Sequence, residues 1–120
     1  MASAGDRCIG GVTKMSTRLE QLQKMLEREP NDTFLLYGIA MEHKKTGDDK
    51  TALQMLEKVL QIDPAHGYAY YQRGQILEMS GDLTGAKQAY TDGIAAALKS
   101  GDSHARGELE GALAQLDTDM

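Results

Sequence analysis

Tryptophan is missing from these 120 residues, phenylalanine and cysteine occur once each, and proline occurs twice. A lone cysteine, Cys8, cannot close a disulfide within the chain, and no metal-ligand spacing surrounds it. β-Branched residues are few and never alternate with polar ones over a strand's length, so a sheet is not expected. No apolar run approaches the roughly 20 residues that a membrane-spanning helix requires. The opening MASAGDRCIGGVTK has no apolar core of the kind a secretory signal carries. Ala2 does not fit the N-myristoylation signal. Asn31-Asp32-Thr33 is formally a glycosylation sequon, read as a chance match where no secretory signal accompanies it. Excess basic charge is also lacking: the net charge is −5. Nucleic acid is therefore a poor candidate partner, because phosphate binding requires a basic stripe. The expectation is a soluble cytoplasmic protein with no membrane contact.

Leu, Ala, Met, Gln, Glu and Lys dominate, and these are strong helix formers. Acidic and basic residues are mixed, as in EREPND and EHKKTGDDK, which reads as solvated helix surface. Residues 1–14 are Gly-rich, without periodicity, and are expected to form a flexible leader. From Thr17 to Glu29, Leu19, Leu22, Met25 and Leu26 share one helical face, with Arg18, Glu20, Lys24 and Arg28 elsewhere. Pro30 ends that helix. Asn31 to Thr33 offer an N-cap for a second helix, which runs to about Thr46 and closes at Gly47. Asp48 caps a third over Asp49–Ile62, and Pro64 stops it. A fourth covers Gly67–Ser80 and closes at Gly81; Asp82 caps a fifth, to about Leu98. The last is expected over His104–Leu116.

Several of these signals recur 34 residues apart: Pro30 and Pro64, Gly47 and Gly81, Asp48 and Asp82, Ala52 and Ala86, Gln54 and Gln88. Helix–short turn–helix at that period resembles the tetratricopeptide repeat. The resemblance covers residues 15–120: a half repeat (17–32), repeats over 33–66 and 67–100, and a C-terminal capping helix (103–116). It implies an all-α fold, a right-handed superhelix of about six antiparallel helices. The family's motif positions hold Leu36, Ile39, Ala40, His43, Ala52, Leu56, Val59 and Pro64 in the first repeat. In the second they hold Tyr70, Arg73, Gly74, Leu77, Ala86, Tyr90, Gly93 and Leu98. Small residues let antiparallel helices approach, so Ala40 is expected against Ala52 and Gly74 against Ala86. Two departures stand out. Arg73 replaces a usual Leu, and Leu98 replaces the closing Pro, so the fifth helix should run longer than its counterpart.

The resemblance also implies a concave face lined by the first helix of each unit, where a partner's peptide or helix would lie. Its candidate residues are Phe34, Tyr37, Met41 and Lys44, then Tyr68, Tyr71, Gln75 and Glu78. The last helix would add Leu109, with Ala105 and Ala112. The only Phe and three of five Tyr fall on this surface. Tyr37 and Tyr71 are repeat equivalents, expected side by side and half exposed, so that their removal would spare stability. Such rings combine apolar area with a hydrogen-bonding tip at low entropic cost. A carboxylate clamp is disfavoured, because Met41, Gln75 and Glu78 stand where further basic groups would be wanted. Catalysis finds little support. His43 lies in the apolar register, His66 and His104 lack ligand spacing, and Cys8 lacks a base. The expectation is a non-catalytic protein-interaction module without cofactor or metal, monomeric or weakly dimeric. The alternative is a structural module stacking through its solenoid ends, although the polar outer face of ARGELEGALAQLD reads as a solvating cap.

Overall fold

The computed structural model describes the backbone of residues 10–119 and the side chains of residues 17–118. Within it the chain forms six helices: α1 (Gly10–Arg28), α2 (Thr33–Lys45), α3 (Asp49–Ile62), α4 (Gly67–Met79), α5 (Leu83–Ser100) and α6 (Ser103–Asp119). Each packs on the next, and α4 also touches α6, giving a slab of 54 × 34 × 19 Å.

The recurring Gly-Asp pair has a physical explanation. At the end of α2, the Gly47 amide donates to the Lys44 carbonyl and the Asp48 amide to the His43 carbonyl. This is the paired closure that a left-handed residue permits, and Gly47 adopts φ 84°. Asp48 then turns its carboxylate to the Thr51 amide and caps α3. The same bonds recur at Gly81 and Asp82, with φ 93° and a cap on the Gly85 amide. Gly101 and Asp102 form a third such turn before α6, where Asp102 caps the Ala105 amide. Asp32 caps α2, and the imidazole Nδ1 of His66 accepts from the Ala69 amide to cap α4.

One boundary departs from expectation and another follows it. α1 begins at Gly10, so residues 10–14 of the segment read as a leader are helical, while residues 1–9 lie outside the described residues. Once a helix is nucleated, each added residue brings a hydrogen bond, so the absence of apolar periodicity does not stop it. α5 reaches Ser100 and spans 18 residues against 14 in α3, consistent with Leu98 standing where Pro64 stops the earlier helix.

The core repeats as the helices do. Leu36, Ala40, Ala52, Leu56 and Val59 are buried with Ala69 and Ile76 in one cluster. Ala86, Tyr90, Ala97, Ala105, Leu109 and Leu116 form the next, and Leu22, Leu35 and Ile39 join α1 to α2. One expected contact is corrected: the nearest neighbour facing Gly74 is the ring of Tyr90, not Ala86. The α1–α2 contact also holds a charge that the apolar pattern missed. Glu42 is only 5% exposed, and its Oε2 accepts from Arg18 Nε at 3.0 Å and Lys45 Nζ at 3.3 Å. Arg18 thus ties α1 to α2 rather than simply facing water.

Candidate functional site

Phe34, Tyr37, Met41 and Lys44 sit at i, i+3, i+7 and i+10 of α2 and so share one stripe. Tyr68, Tyr71, Gln75 and Glu78 occupy the equivalent stripe of α4. A hydrogen-bonded network joins the two. Lys44 Nζ donates to Gln72 Oε1 at 2.6 Å and to Gln75 Oε1 at 3.2 Å. Gln75 Nε2 in turn donates to the Tyr71 hydroxyl at 3.1 Å. On the other side, the Tyr68 hydroxyl pairs with His104 Nδ1 of α6.

Burial pushes the Tyr37 hydroxyl above its ordinary value against the opposing bond from Gln72, with Tyr68 adding to the rise. Burial likewise raises Tyr68, reinforced by Glu108 and Asp102. The phenols therefore stay neutral at physiological pH and act as hydrogen-bonding tips. Burial lowers the Lys44 ammonium, against the attraction of Asp49. Half-buried rings around amide groups and one cation can hold a backbone or a side chain of a partner.

Not every expected residue faces outward. Leu109 is 0% exposed: its side chain fills the space beside Gly93, so it belongs to the core and not to a groove. Ala105 is buried too, close against Gly67, while Ala112 is half-buried. Glu78 accepts a hydrogen bond from the Tyr90 hydroxyl at 2.9 Å, which turns it toward the core. Tyr37 and Tyr71 do not lie side by side. Tyr37 stacks on His66 with centroids 5.2 Å apart, and Tyr71 tilts against Tyr90 at 6.2 Å. Removing either ring would therefore disturb packing, contrary to the sequence expectation. Met41 is partly buried against the first core cluster, whereas Phe34 is 78% exposed.

Gln72, His66 and His104 also belong to this face, although the sequence pattern does not point to them. Gln72 lies one helical step off the stripe, and the histidines stand at the entrances of α4 and α6, so periodicity on α2 and α4 could not find them. Each histidine has a structural role. His66 caps α4, His104 holds the Tyr68 hydroxyl, and His43 places Nδ1 3.4 Å from Asp48 Oδ2. Among the described residues no group of three His, Cys, Asp or Glu side chains is placed to hold a metal ion. Among them, too, no helix is long and apolar enough to cross a membrane.

Residues 35–66 and 55–88 each match the tetratricopeptide repeat. A TPR repeat-containing protein of Pseudomonas aeruginosa is 31% identical over 99 residues, spanning 82% of this chain and 94% of that protein. The solution structure of a Bordetella parapertussis protein, 30% identical, aligns with a TM-score of 0.73 over 84% of this chain and 88% of that one. PcrH, solved in complex with the chaperone binding region of PopD, shares the fold at 16% identity, with a TM-score of 0.78 over 98% of this chain and 88% of that chain. The repeated Gly-Asp turns, the alternating small and large core positions and a relative matched over nearly its whole length agree: this chain belongs to the tetratricopeptide repeat family.

Proposed function

We propose that the chain is a non-catalytic adaptor that seats a peptide or helix of another protein along the face shared by α2 and α4. Phe34, Tyr37, Met41, Lys44, Tyr68, Tyr71 and Gln75 make the contact in this reading. Glu78 and Leu109 act from behind, through Tyr90 and Gly93. The observation that carries the reading is the Lys44–Gln72–Gln75–Tyr71 network. It ties α2 to α4 and holds the half-buried Tyr71 in place before any partner arrives, which lowers the ordering cost of binding. PcrH, of the same fold, has been solved with a segment of PopD, so such a frame accommodates a protein ligand.

The test is capture from a native lysate on immobilised protein, followed by calorimetry with the captured partner. Loss of binding on Tyr71→Ala and on Phe34→Ala supports the face; full affinity in both variants moves the site elsewhere. A second reading, stacking through the solenoid ends, is favoured by one observation. Met25 is half-exposed among Gln21, Lys24 and Arg28 beside a surface cleft of about 370 Å³ on α1. Light scattering distinguishes it, because head-to-tail stacking does not close and gives species larger than a dimer.

A further inference from the structure

The missing proline at Leu98 leaves its mark on the surface. Because α5 continues to Ser100, Lys99 and Ser100 overhang the Pro64–Ala65 turn and bound a cleft of about 470 Å³. Tyr70 closes its floor by donating from its hydroxyl to the Pro64 carbonyl at 3.2 Å. Asp92, Ala95 and Lys99 continue from this cleft onto the outer face of α5 and are exposed there. Leu98, on the neighbouring flank of α5, is 55% exposed. Among the described residues, Lys99 has no ion-pair partner, and Asp92 takes a single hydrogen bond, from the Gln88 amide of its own helix at 2.8 Å.

We propose that this face of α5 is an interaction surface for the same face of a second copy of the chain, packed antiparallel about a two-fold axis near Ala95. The charge pattern selects that occupant. Asp92 and Lys99 stand seven residues apart, about 10.5 Å along the helix, with small residues between them. Reversing the helix direction across a two-fold axis brings each Asp92 to the partner copy's Lys99, and each Lys99 to its Asp92. That self-complementarity is what a symmetric dimer requires. Ala95 and Ala96 let the helices approach closely. The surface is small. Eighteen residues make a helix about 27 Å long, and one such face falls short of the roughly 800 Å² per partner of a stable interface. The dimer is accordingly weak and dependent on concentration.

Charge reversal tests this without disturbing the core, because both positions are exposed. Sedimentation of the full chain should show a monomer–dimer equilibrium at concentrations up to roughly 1 mM. Asp92→Lys alone sets two lysine pairs against each other, and Lys99→Asp alone sets two aspartate pairs. Each should weaken self-association at least tenfold. An equimolar mixture of the two variants restores both attractions, as does the double variant in one chain, so association should return in both. Circular dichroism checks that every variant keeps its helix content. A wild-type chain that stays monomeric throughout overturns the proposal. So do single variants that associate like wild type, a mixture that fails to recover, or species larger than a dimer. Because none of these residues touches the α2–α4 face, calorimetry with a captured partner should be unchanged in all variants. That keeps the fate of this proposal separate from the fate of the adaptor reading.

Discussion

A Cβ placed on Gly74 would lie 2.3 Å from Cε1 of Tyr90. One repeat earlier, the equivalent residues are Ala40 and Leu56, both fully buried in one cluster. The two repeats therefore fill the same helix crossing in opposite ways: a methyl group facing a leucine, or a bare backbone facing a phenol. Total volume is roughly conserved while its division between the helices is not, as a close-packed interior demands.

Gly74→Ala is therefore expected to destabilise by about 1–3 kcal/mol, even though alanine is the better helix former, because overpacking outweighs propensity. Tyr90→Leu in the same chain recreates the first repeat's pairing and should recover part of the loss. Urea denaturation of both single variants and the double variant measures the coupling. Additive losses would show that the two side chains do not compete for the same space.

Glu42 gives a second prediction. Its carboxylate is taken out of water and is held by Arg18 from α1 and Lys45 from its own helix. Arg18→Ala leaves Lys45 in place, and the Arg18 side chain is 62% exposed, so solvent screening limits the loss to about 1 kcal/mol. The effect should be local. Hydrogen exchange ought to quicken along α1 while the α4–α5 amides keep their protection, and uniform acceleration would contradict a clamp confined to α1 and α2.

Tyr90 should make the protein sensitive to alkali. Burial, the Glu78 carboxylate that accepts its hydrogen bond and the nearby Tyr71 all push its hydroxyl well above the ordinary 10.0. The unfolded chain then releases this proton first as the pH climbs, so it binds fewer protons than the folded one and stability falls with pH. The loss is absent below about pH 10 and grows above it. Tyr90→Phe should flatten that decline in denaturation curves taken between about pH 8 and 11. An equally steep decline in the variant would assign the sensitivity to Tyr37 and Tyr68, whose hydroxyls are raised in the same direction.

The helices and turns were legible because their signals are local. Gly47 and Asp48 dictate a turn whatever surrounds them, and Asp49–Ile62 formed as its caps and Pro64 implied. What lay hidden depends on neighbours distant in sequence. Leu109 lies on the apolar face of α6, and only the resemblance to the repeat family assigns it to the groove; it is core because Gly93 on α5 leaves room for it. Glu42 reads as a solvent residue until Arg18, 24 positions earlier, is brought beside it. The stacking of Tyr37 on His66 likewise joins a helix to the entrance of a later one, a relationship that repeat equivalence with Tyr71 conceals.

That stacking decides how the binding face is best probed. Tyr37→Ala removes a ring that packs on His66 and against the first core cluster, so it should lower stability as well as affinity, and binding loss alone would be ambiguous. Phe34 lies on the same stripe but is mostly exposed, so Phe34→Ala should leave the urea midpoint within about 0.5 kcal/mol of wild type. If a partner segment lies along α2, losing this aromatic anchor should still weaken binding about tenfold, since aromatic contacts carry much of an interface's energy. Calorimetry with the captured partner reads the affinity, and denaturation of the same sample reads the stability. Unchanged affinity in Phe34→Ala, with affinity lost in Tyr71→Ala only in step with stability, would leave the α2–α4 face as packing and place recognition elsewhere on the solenoid.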